Sequence, residues 1–488
     1  MVGIRTNRPE YRNDIAEEIR LFLGLTEIEP AEGEDDEKFE LVFNLLLNNN
    51  DNRFTIQAGV GALRADDAFT IPADASALLV KKIEKRKLKL ACYKLLKQLY
   101  PDVATPWGSL TGIRPTKLFR ELTLEGGAEY ARETFVNLFD VSADKTALAE
   151  SICTVQEPYL SSVSPNDVDL YIGIPFCRTK CLYCSFPSEV LSKKSRLEEY
   201  LIALKREIQA GAELVKQNGL RVRSFYMGGG TPTVLSADQL EGLLTYMLEQ
   251  FGSFGLESTV EAGRPDTIDR GKLEVFKRLG VSRISINPQT TNDATLLRVG
   301  RSHTAADVER VYALARQIGF DSINMDLIAG LPGETPEDMR RTCEKIHTLA
   351  PDCLTVHSLA IKRSARLKTE MEEYALASAE DAQAMTRLGA DCASQLGMRA
   401  YYMYRQKYMS GNLENIGYSL PGKECVYNID MMEETASILA FGAGTMTKRV
   451  FGGENRIERL PNPKDVPTYL EKLDRLIEAK HTFFSGQL

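Results

Sequence analysis

The second half of the chain alternates between short apolar segments and longer segments in which apolar residues recur with helical spacing. Examples of the apolar segments are DLYIGIP (169–175), SFYMGG (224–229) and SINMDLIAG (322–330). The strands of six strand–helix units are predicted near residues 170, 224, 258, 283, 323 and 354. This alternation predicts an α/β fold with a parallel sheet and right-handed crossovers. Six units do not complete an eight-fold barrel, so we predict an open or partial barrel.

The first 165 residues have a different pattern. Residues 15–23 and 81–100 have helical spacing, and the predicted strands FELVFNLLL and NRFTIQAGV lie between them. In the second helix, Leu88, Cys92 and Leu95 or Leu96 share one face. The turn residues of VSPNDVD then indicate a boundary. We predict three regions: an N-terminal α+β accessory domain (1–165), a partial barrel (166–375) and a C-terminal extension that completes the substrate site (376–488).

Composition narrows the class of protein. The chain is 43% hydrophobic and 26% charged, which is typical of a soluble globular protein. Its 60 basic and 68 acidic residues give a net charge of −8, which argues against a nucleic-acid binder. No apolar run approaches the ~20 residues of a membrane helix, and the charged first twenty residues do not resemble a signal peptide. The nine cysteines, an odd number, indicate reduced thiols and a cytoplasmic location.

Reactive and polar residues follow each predicted strand at its carboxyl end. In chain order they are Cys177, Cys181 and Cys184, the loop GGGTP (228–232), Glu261, Asn287 and Gln289, Asp326, then His357 and the basic segment KRSARLK (362–368). The carboxyl ends of parallel strands meet at one edge of a sheet, where ligands bind in such folds. The sequence therefore predicts a single site at this edge, although His357 alone is equally consistent with a buried structural histidine.

The three cysteines, within eight positions, favour an iron–sulfur cluster. A structural zinc site normally has four ligands, often as two separated pairs, and the nearest histidine in the sequence is the distant His303. Three thiolates can instead bind three irons of a [4Fe–4S] cluster and leave the fourth iron open for a small ligand. Zinc remains the alternative.

The pattern CxxxCxxC on the loop after the first strand, followed by GGGTP, resembles the radical S-adenosylmethionine superfamily. The resemblance implies that S-adenosylmethionine chelates the open iron and is cleaved to a 5′-deoxyadenosyl radical, and that the fold is a partial (β/α)6 TIM-like radical SAM barrel. The segments YIGIPFC, GGGTPT, SINPQT, GRSHT and MDLIAGLPGE are similar to the oxygen-independent coproporphyrinogen III oxidase family. The long N-terminal region resembles its HemZ-type branch.

The resemblance also implies roles for individual residues. Cys177, Cys181 and Cys184 would bind the cluster, and Tyr171 would be both a catalytic and a cofactor-binding position. The other implied cofactor-binding positions are Tyr183, Gly229, Gly230, Thr231, Glu261, Gln289, Arg301, Asp326 and Ala360. Their chemistry is suitable, because glycine allows close approach of a ligand and an arginine can hold a carboxylate through paired N–H groups.

The chain departs from the family pattern at two motifs. In the family pattern CxxxCxxCxC a fourth cysteine follows, but here Ser185 and Phe186 come after Cys184. The related haem chaperones carry an HNxxYW-like segment, whereas the comparable segment here is ENIGYS (414–419). The expected activity is oxidative decarboxylation of coproporphyrinogen III to protoporphyrinogen IX, with a flavodoxin- or ferredoxin-like electron donor. The alternatives are a haem-binding carrier and another radical reaction on a tetrapyrrole.

The basic segment KRSARLK suggests how such a substrate is held. Arg363 and Arg366 follow the sixth strand, and guanidinium groups bind carboxylates in a fixed geometry. Coproporphyrinogen III carries four propionates. We therefore predict that both arginines act on the substrate; a solvated loop is the alternative.

Overall fold

The computed structural model describes residues 1–24, 26–32, 36–50, 53–112, 114–406, 413–452 and 456–485. The chain divides into two compact units, Met1–Glu150 and Ser151–Leu488, rather than at the predicted residue 165. The division lies within a helix, Ala143–Leu160, and not at the turn after it. The last turns of this helix belong to the second unit because their side chains bond there. The Gln156 amide donates to the Tyr401 carbonyl, at 3.0 Å.

Within its described residues, the first unit contains a six-stranded sheet and several helices. The strands are β1 (Val2–Thr6), β2 (Ile28–Pro30), β3 (Leu41–Asn50), β4 (Arg53–Val60), β5 (Leu63–Arg64) and β6 (Asp67–Thr70). Their order is β2-β1-β3-β4-β5, with β6 also paired to β4. The helices are α1 (Arg12–Leu23), α2 (Ala77–Leu99) and α3 (Pro115–Glu133). The predicted apolar face of α2 is buried in the core of this unit, through Leu88, Cys92, Leu95 and Leu96.

The second unit is built on an eleven-stranded sheet with the order β15-β16-β14-β13-β12-β11-β10-β7-β17-β18-β19. Its strands, with the short pair β8 and β9, are β7 (Asp167–Ile174), β8 (Phe176–Cys177), β9 (Glu189–Val190), β10 (Arg221–Gly229), β11 (Glu257–Gly263), β12 (Arg283–Ile286), β13 (Ile323–Ala329), β14 (Cys353–Ser358), β15 (Arg399–Arg405), β16 (Glu414–Ser419), β17 (Ser437–Phe441), β18 (Met446–Phe451) and β19 (Arg456–Pro461).

The six predicted parallel strands are confirmed as β7 and β10 to β14, in sequential order. The sequence analysis did not find a seventh parallel strand, β17, which pairs with the opposite edge of β7. Antiparallel strands continue the sheet beyond both edges of this parallel group. The second unit is therefore a partial barrel whose ends are extended by C-terminal strands.

Helices connect the parallel strands and flank the C-terminal region. They are α4 (Ala143–Leu160), α5 (Leu197–Gln217), α6 (Ala237–Phe251), α7 (Arg270–Arg278), α8 (Asp293–Arg298), α9 (Ala305–Ile318), α10 (Pro336–Leu349), α11 (Arg366–Thr369), α12 (Ala379–Gln395), α13 (Val426–Glu433) and α14 (Val466–Ser485). Ser236 caps α6 in a capping box with Gln239. In the part of the chain that the structure describes, every helix is too short or too polar to cross a membrane.

Ion pairs close the amino ends of the strands. Arg223, near the start of β10, is 1% exposed and donates to the Asp430 carboxylate at 2.7 Å. Asp167, at the start of β7, lies 3.7 Å from Arg223 and accepts from the exposed Arg221 at 2.8 Å. Burial alone raises the pKa of Asp167, but its hydrogen bonds and the two arginines lower that pKa below the ordinary value. These contacts leave the carboxyl ends of the strands as the open side.

Candidate active site

The three cysteines line one cavity of about 400 Å³ at the carboxyl ends of the parallel strands. Cys177 lies in β8 and is buried, whereas Cys181 and Cys184 are half-buried on the loop that follows. β8 pairs with β9, and the Cys177 carbonyl accepts from the Leu191 amide at 2.8 Å. None of these three cysteines is in a disulfide bond within the described part of the chain. The cysteine loop, residues 177–186, is thus anchored at its start and open toward the cavity.

The segment 299–301 holds the middle of the cysteine loop. Three hydrogen bonds connect them: Leu182 N to Val299 O at 3.0 Å, Thr179 Oγ1 to Gly300 O at 2.8 Å, and Arg301 Nη1 to the Tyr183 hydroxyl at 3.2 Å. Burial by itself lowers the pKa of Arg301, but the nearby Tyr183 and Cys181 raise it above its ordinary value. The guanidinium therefore stays charged beside the thiols.

The glycine loop packs against the first thiol. A Cβ on Gly230 would lie 2.5 Å from the Phe176 carbonyl oxygen and 2.9 Å from Cys177 Sγ, so a larger residue does not fit. Gly229 has φ +111°, a conformation that side chains strongly disfavour. Thr231 Oγ1 donates to Cys177 Sγ at 3.6 Å. The three predicted positions of this loop thus form a close backbone wall beside the cysteines.

The donor arrangement fits a cluster better than a single ion. Among the described residues, no three Cys, His, Asp or Glu side chains converge on one ion site. A tetrahedral zinc site has Zn–S distances of about 2.3 Å, so its sulfurs would have to be close neighbours. Cysteines of a cubane bind different irons and are spaced more widely. Three free thiols on one loop, facing one cavity, are suited to hold a [4Fe–4S] cluster.

Glu261, at the carboxyl end of β11, faces the cavity beside the glycine loop. Its Oε1 accepts from the Tyr226 hydroxyl at 2.7 Å. Burial, and to a smaller extent the nearby Asp326, raise the pKa of Glu261 to about 7, although the hydrogen bond from Tyr226 acts to lower it. A carboxyl group with this pKa changes its protonation near neutral pH, so it can accept hydrogen bonds from a cationic ligand when ionised.

Asp326, in β13, is held ionised by its neighbours. Burial raises its pKa, but His357, Asn324 and Thr355 together lower it below the ordinary value. The Asn324 amide donates to Oδ1 at 2.8 Å, and His357 Nε2 lies 3.7 Å from Oδ2. The two acids at this edge therefore differ in charge state, with Asp326 the permanent anion.

Gln289 and Asn287 follow β12 and bring unpaired oxygens to the cavity. Gln289 has φ +68°, an uncommon conformation that is fixed because its amide donates to the Asp326 carbonyl at 2.9 Å. Both side chains are buried, and their amide oxygens have no partner in the described part of the chain. Arg301 Nη2 donates to the Asn287 carbonyl at 2.9 Å, whereas its Nε is unpaired. Buried, unpaired polar atoms of this kind are suited to meet a ligand.

Stacked tyrosines lie beside these residues. Tyr171 stacks on Tyr226 and Tyr427 with ring centroids 6.1 and 5.9 Å apart, and Tyr226 lies 4.6 Å from Tyr427. Sequence reasoning identified only Tyr171. It missed the cavity-lining residues from β10, β15, β16 and α13, which are Tyr226, Tyr402, Tyr404, Asn415, Asn428 and Met432. The alternation in RAYYMYR is a strand signal that could have indicated the two tyrosines of β15.

The basic segment KRSARLK lies against the cysteine loop, but its arginines do not reach the cavity. Among the described residues that line the cavity, Ala360 and Lys362 are present, whereas Arg363 and Arg366 are not. Arg366 is exposed and pairs with Glu370 at 3.1 Å, one helical turn later. The helix α11 begins at Arg366, four residues after Lys362. The predicted action of both arginines on the substrate stays a prediction. Lys362, from the same segment, is the basic residue that lines the cavity.

The family comparisons agree with this site. Residues 171–346 match the family model of the radical SAM superfamily. The chain is 36% identical, over 91% of its length and 90% of the relative, to the oxygen-independent coproporphyrinogen-III oxidase-like protein HemZ of Bacillus subtilis. It is 29% identical to the heme chaperone HemW of Haemophilus influenzae, over 61% of this chain and 75% of that protein.

The solved structure of coproporphyrinogen III oxidase (HemN) from Escherichia coli has a similar fold. It matches with a TM-score of 0.52 and 24% identity, over 66% of this chain and 72% of that one. The partial barrel fold is thereby confirmed. The match to the radical SAM superfamily confirms the predicted pairing of a [4Fe–4S] cluster with S-adenosylmethionine. The chain belongs to the radical SAM superfamily, in the HemZ-type branch of the oxygen-independent coproporphyrinogen III oxidase-like family.

Proposed function

We propose that the chain catalyses the oxygen-independent oxidative decarboxylation of coproporphyrinogen III, which converts two propionates to vinyl groups and gives protoporphyrinogen IX. The observation that carries the proposal is a single cavity lined by the three cysteines, by Glu261 and Asp326, and by Lys362. This cavity brings together thiols that can bind a cluster, hydrogen-bond acceptors that can bind a cofactor, and a cation that can bind a carboxylate of the substrate. Hydrogen abstraction needs this proximity, because the target carbon must be held close to the radical.

The chain's own residues would bind and orient the reactants. When bound, the cluster and S-adenosylmethionine supply a radical that abstracts hydrogen. Each of the two propionates would give up one β-hydrogen atom to this radical, and loss of carbon dioxide together with transfer of one electron to an external one-electron acceptor would leave the vinyl group. Asp326, Gln289 and Glu261 would accept hydrogen bonds from the cofactor, and Lys362 would hold a propionate carboxylate. The stacked tyrosines would exclude water from one side of the cavity.

A haem-binding carrier is the second candidate function. It is favoured by the relatives named heme chaperones and by His357, which lines the cavity and is of a residue type that binds haem iron. The segment ENIGYS argues against it, because Glu414 and Ser419 replace the His and Trp of the chaperone motif and both are buried in β16. We therefore favour catalysis.

Product analysis separates the two functions. Reconstituted protein is incubated anaerobically with coproporphyrinogen III, S-adenosylmethionine and a reductant, and the products are identified by mass spectrometry. Loss of two carboxyl groups supports the proposal. Tight, stoichiometric haem binding without turnover would replace it with the carrier function. Cys177→Ala is the inactive control, and Cys392→Ala, at a buried thiol that does not line the cavity, is the matched control that retains activity.

Lys362→Met tests how the substrate is held. This change keeps most of the side-chain length but removes the charge, so turnover of coproporphyrinogen should fall by about tenfold or more while cleavage of S-adenosylmethionine persists. The matched control is Lys345→Met, at an exposed lysine that pairs with Glu309 on the outside of the barrel. If Lys362→Met turns over substrate at the wild-type rate, the carboxylate is bound elsewhere.

A further inference from the structure

Two cysteines that do not line the cavity face each other between neighbouring helices. Cys343 lies in α10 and Cys392 in α12. Cys392 Sγ lies 3.6 Å from the Cys343 carbonyl oxygen, and Cys343 Sγ lies 3.6 Å from the carbonyl oxygen of Leu388, about one helical turn before Cys392. The helices approach closely because Gly389 has no side chain: a Cβ there would lie 3.3 Å from Met339 Cε of α10. Each thiol is therefore held against the helix that carries the other.

The two thiols differ in chemical character. A hydrogen bond between their side chains lowers the pKa of Cys392 below its ordinary value, although burial acts to raise it. The same hydrogen bond, and to a smaller extent burial, raise the pKa of Cys343. The thiolate is the nucleophilic form of cysteine and the form that oxidants attack. Cys392 is therefore the nucleophile of the pair, and Cys343 is the hydrogen-bond donor that stabilises its thiolate.

Two other buried cysteines lack this activation. Cys92 and Cys353 are both 0% exposed, and burial raises the pKa of each thiol above its ordinary value. For Cys353 this holds even though the Arg283 guanidinium lies 2.9 Å from its sulfur. Cys343 and Cys392 are 9% and 4% exposed, so a small oxidant reaches them more readily than the fully buried thiols. Both access and thiolate character thus favour oxidation of this pair.

We propose that Cys343 and Cys392 form a dithiol site that reduces hydrogen peroxide and is itself oxidised to a disulfide between α10 and α12. The Cys392 sulfur attacks one peroxide oxygen; the O–O bond breaks, an S–O bond forms, and the other oxygen leaves as water. The Cys343 sulfur then attacks Cys392: an S–S bond forms, the S–O bond breaks, and the second oxygen leaves as water. The two thiols lose two electrons and two protons, which the peroxide gains.

The disulfide would constrain one wall of the cavity. The chain between the two cysteines contains β14 and the segment that follows it, from which His357, Ala360 and Lys362 line the cavity. A cross-link restricts the unfolded chain more than the folded one, so oxidation should stabilise this segment. The dithiol chemistry uses neither the cluster nor a tetrapyrrole, so the proposal is independent of the proposed decarboxylation.

Peptide mapping tests the proposal on full-length protein prepared anaerobically with its cluster. The protein is treated with a graded series of hydrogen peroxide, its remaining thiols are alkylated, and its tryptic peptides are analysed by mass spectrometry without reduction. Trypsin releases the two thiols in TCEK (342–345) and LGADCASQLGMR (388–399), each with a single cysteine. We expect these peptides to be linked at a peroxide concentration about tenfold or more below that which oxidises Cys92 or Cys353. Dithiothreitol should separate them.

Two serine variants test the order of the steps, because serine keeps a hydrogen-bond donor at each position. In Cys343→Ser the nucleophile has no second thiol to attack it, so Cys392 should stop as a sulfenic acid that dimedone traps. In Cys392→Ser, Cys343 should stay reduced at the same peroxide concentration. A dimedone adduct on Cys343 in this variant would overturn the assigned order.

The wild-type map decides the proposal even if a variant fails to fold. Absence of the linked peptides from peroxide-treated wild-type protein would overturn it. Linkage only at peroxide concentrations that also oxidise Cys92 and Cys353 would overturn it as well, because the pair would then have no reactivity beyond that of a buried thiol.

Discussion

Buried polar groups are bonded to one another at the amino ends of the parallel strands, but are left without protein partners at the carboxyl ends of the same strands within the described residues. At the amino ends, the buried Arg223 is bonded to Asp430 and lies beside Asp167. At the carboxyl ends, Gln289 and Asn287 present buried amide oxygens that have no partner within the described residues. At the amino ends the polar groups bond to one another and stabilise the fold, whereas at the carboxyl ends they are available to bind a ligand.

An apparent exception at the amino ends supports this contrast. Asp169 also has one oxygen, Oδ2, that finds no partner among the residues the structure describes. Burial and the nearby Asp430 raise the pKa of Asp169 well above its ordinary value, which favours the neutral form of this carboxyl group over the charged one. An unpaired buried polar atom costs about 1–3 kcal/mol, which a protein recovers only if something binds there. The comparison teaches that stability is concentrated at one end of the barrel and recognition at the other.

Removal of one of the three cysteines should abolish cluster binding at the carboxyl ends of the strands. We expect Cys177→Ala to reduce the iron content of anaerobically reconstituted protein from about four per chain to near zero, because a cubane bound by two thiolates is not retained. Iron and sulfide analysis measures this. Cys92→Ala and Cys392→Ala should keep their iron, and loss of iron in either of them would contradict the assignment.

At the closed end, Arg223→Met should destabilise the fold without affecting the cofactor. It leaves Asp430 buried without its cation, which costs about 3–5 kcal/mol, whereas Asp167 keeps its ion pair with Arg221. Denaturant unfolding measures the loss. Arg221→Met is a matched control, because Arg221 pairs with the same Asp167 but is 68% exposed, and an exposed pair contributes about 1 kcal/mol or less. Equal losses from both changes would show that the amino end is not a closed network.

Asp326→Asn tests recognition at the open end. It preserves shape but removes the permanent anion, so we expect affinity for S-adenosylmethionine to fall by about tenfold or more, a loss of roughly 1.5–3 kcal/mol. Calorimetry on reconstituted protein measures the affinity, and iron content should stay unchanged. Asp321→Asn, at a 79% exposed aspartate, is the control. We expect Arg301→Ala to weaken cofactor binding in the same way, and unaltered affinity in both variants would contradict the site.

Glu261 should make the open end sensitive to pH. Its folded-state pKa of about 7 lies above the ordinary value of 4.5, so its contribution to stability is present below pH 4.5 and is lost as the pH rises through 7. In cluster-free protein, Glu261→Gln should therefore be more stable than wild type at pH 8 by about 1–2 kcal/mol, after allowance for partial exposure, and much less so at pH 5. Denaturant unfolding at both pH values measures this. An equal stability difference between the variant and the wild type at pH 5 and pH 8 would contradict the raised pKa of Glu261.

The sequence was sufficient for the parts of the fold that depend on local pattern. β7 and β10 to β14 were predicted because each is an apolar segment followed by a helix, and site residues at their ends follow from strand direction alone. The cysteine spacing indicated the cluster for the same reason. Glu261, Gln289 and Asp326 line one cavity as expected, although their roles in binding stay predictions.

The missed features all depend on contacts between distant parts of the chain. β17 is only five residues long and pairs with β7, which precedes it by more than two hundred residues. The unit boundary falls inside a helix because side chains of the helix's last turns bond to the second unit, which the turn at 165 does not reveal. For KRSARLK the sequence placed the segment correctly but not its individual side chains. Which basic residue reaches the cavity depends on the turn before α11.

Because the Leu367 amide donates to the Leu182 carbonyl, hydrogen exchange in the segment 362–369 should report whether the cluster is bound. Leu182 lies between two cysteines, so a cluster bound to those two thiols would also restrain the peptide that accepts from Leu367. Deuterium uptake at this amide should slow when the cluster assembles and recover when it is lost. Exchange mass spectrometry on a peptide that covers residues 362–369 would thus follow cluster assembly from the backbone alone, without optical or magnetic measurement of the metal.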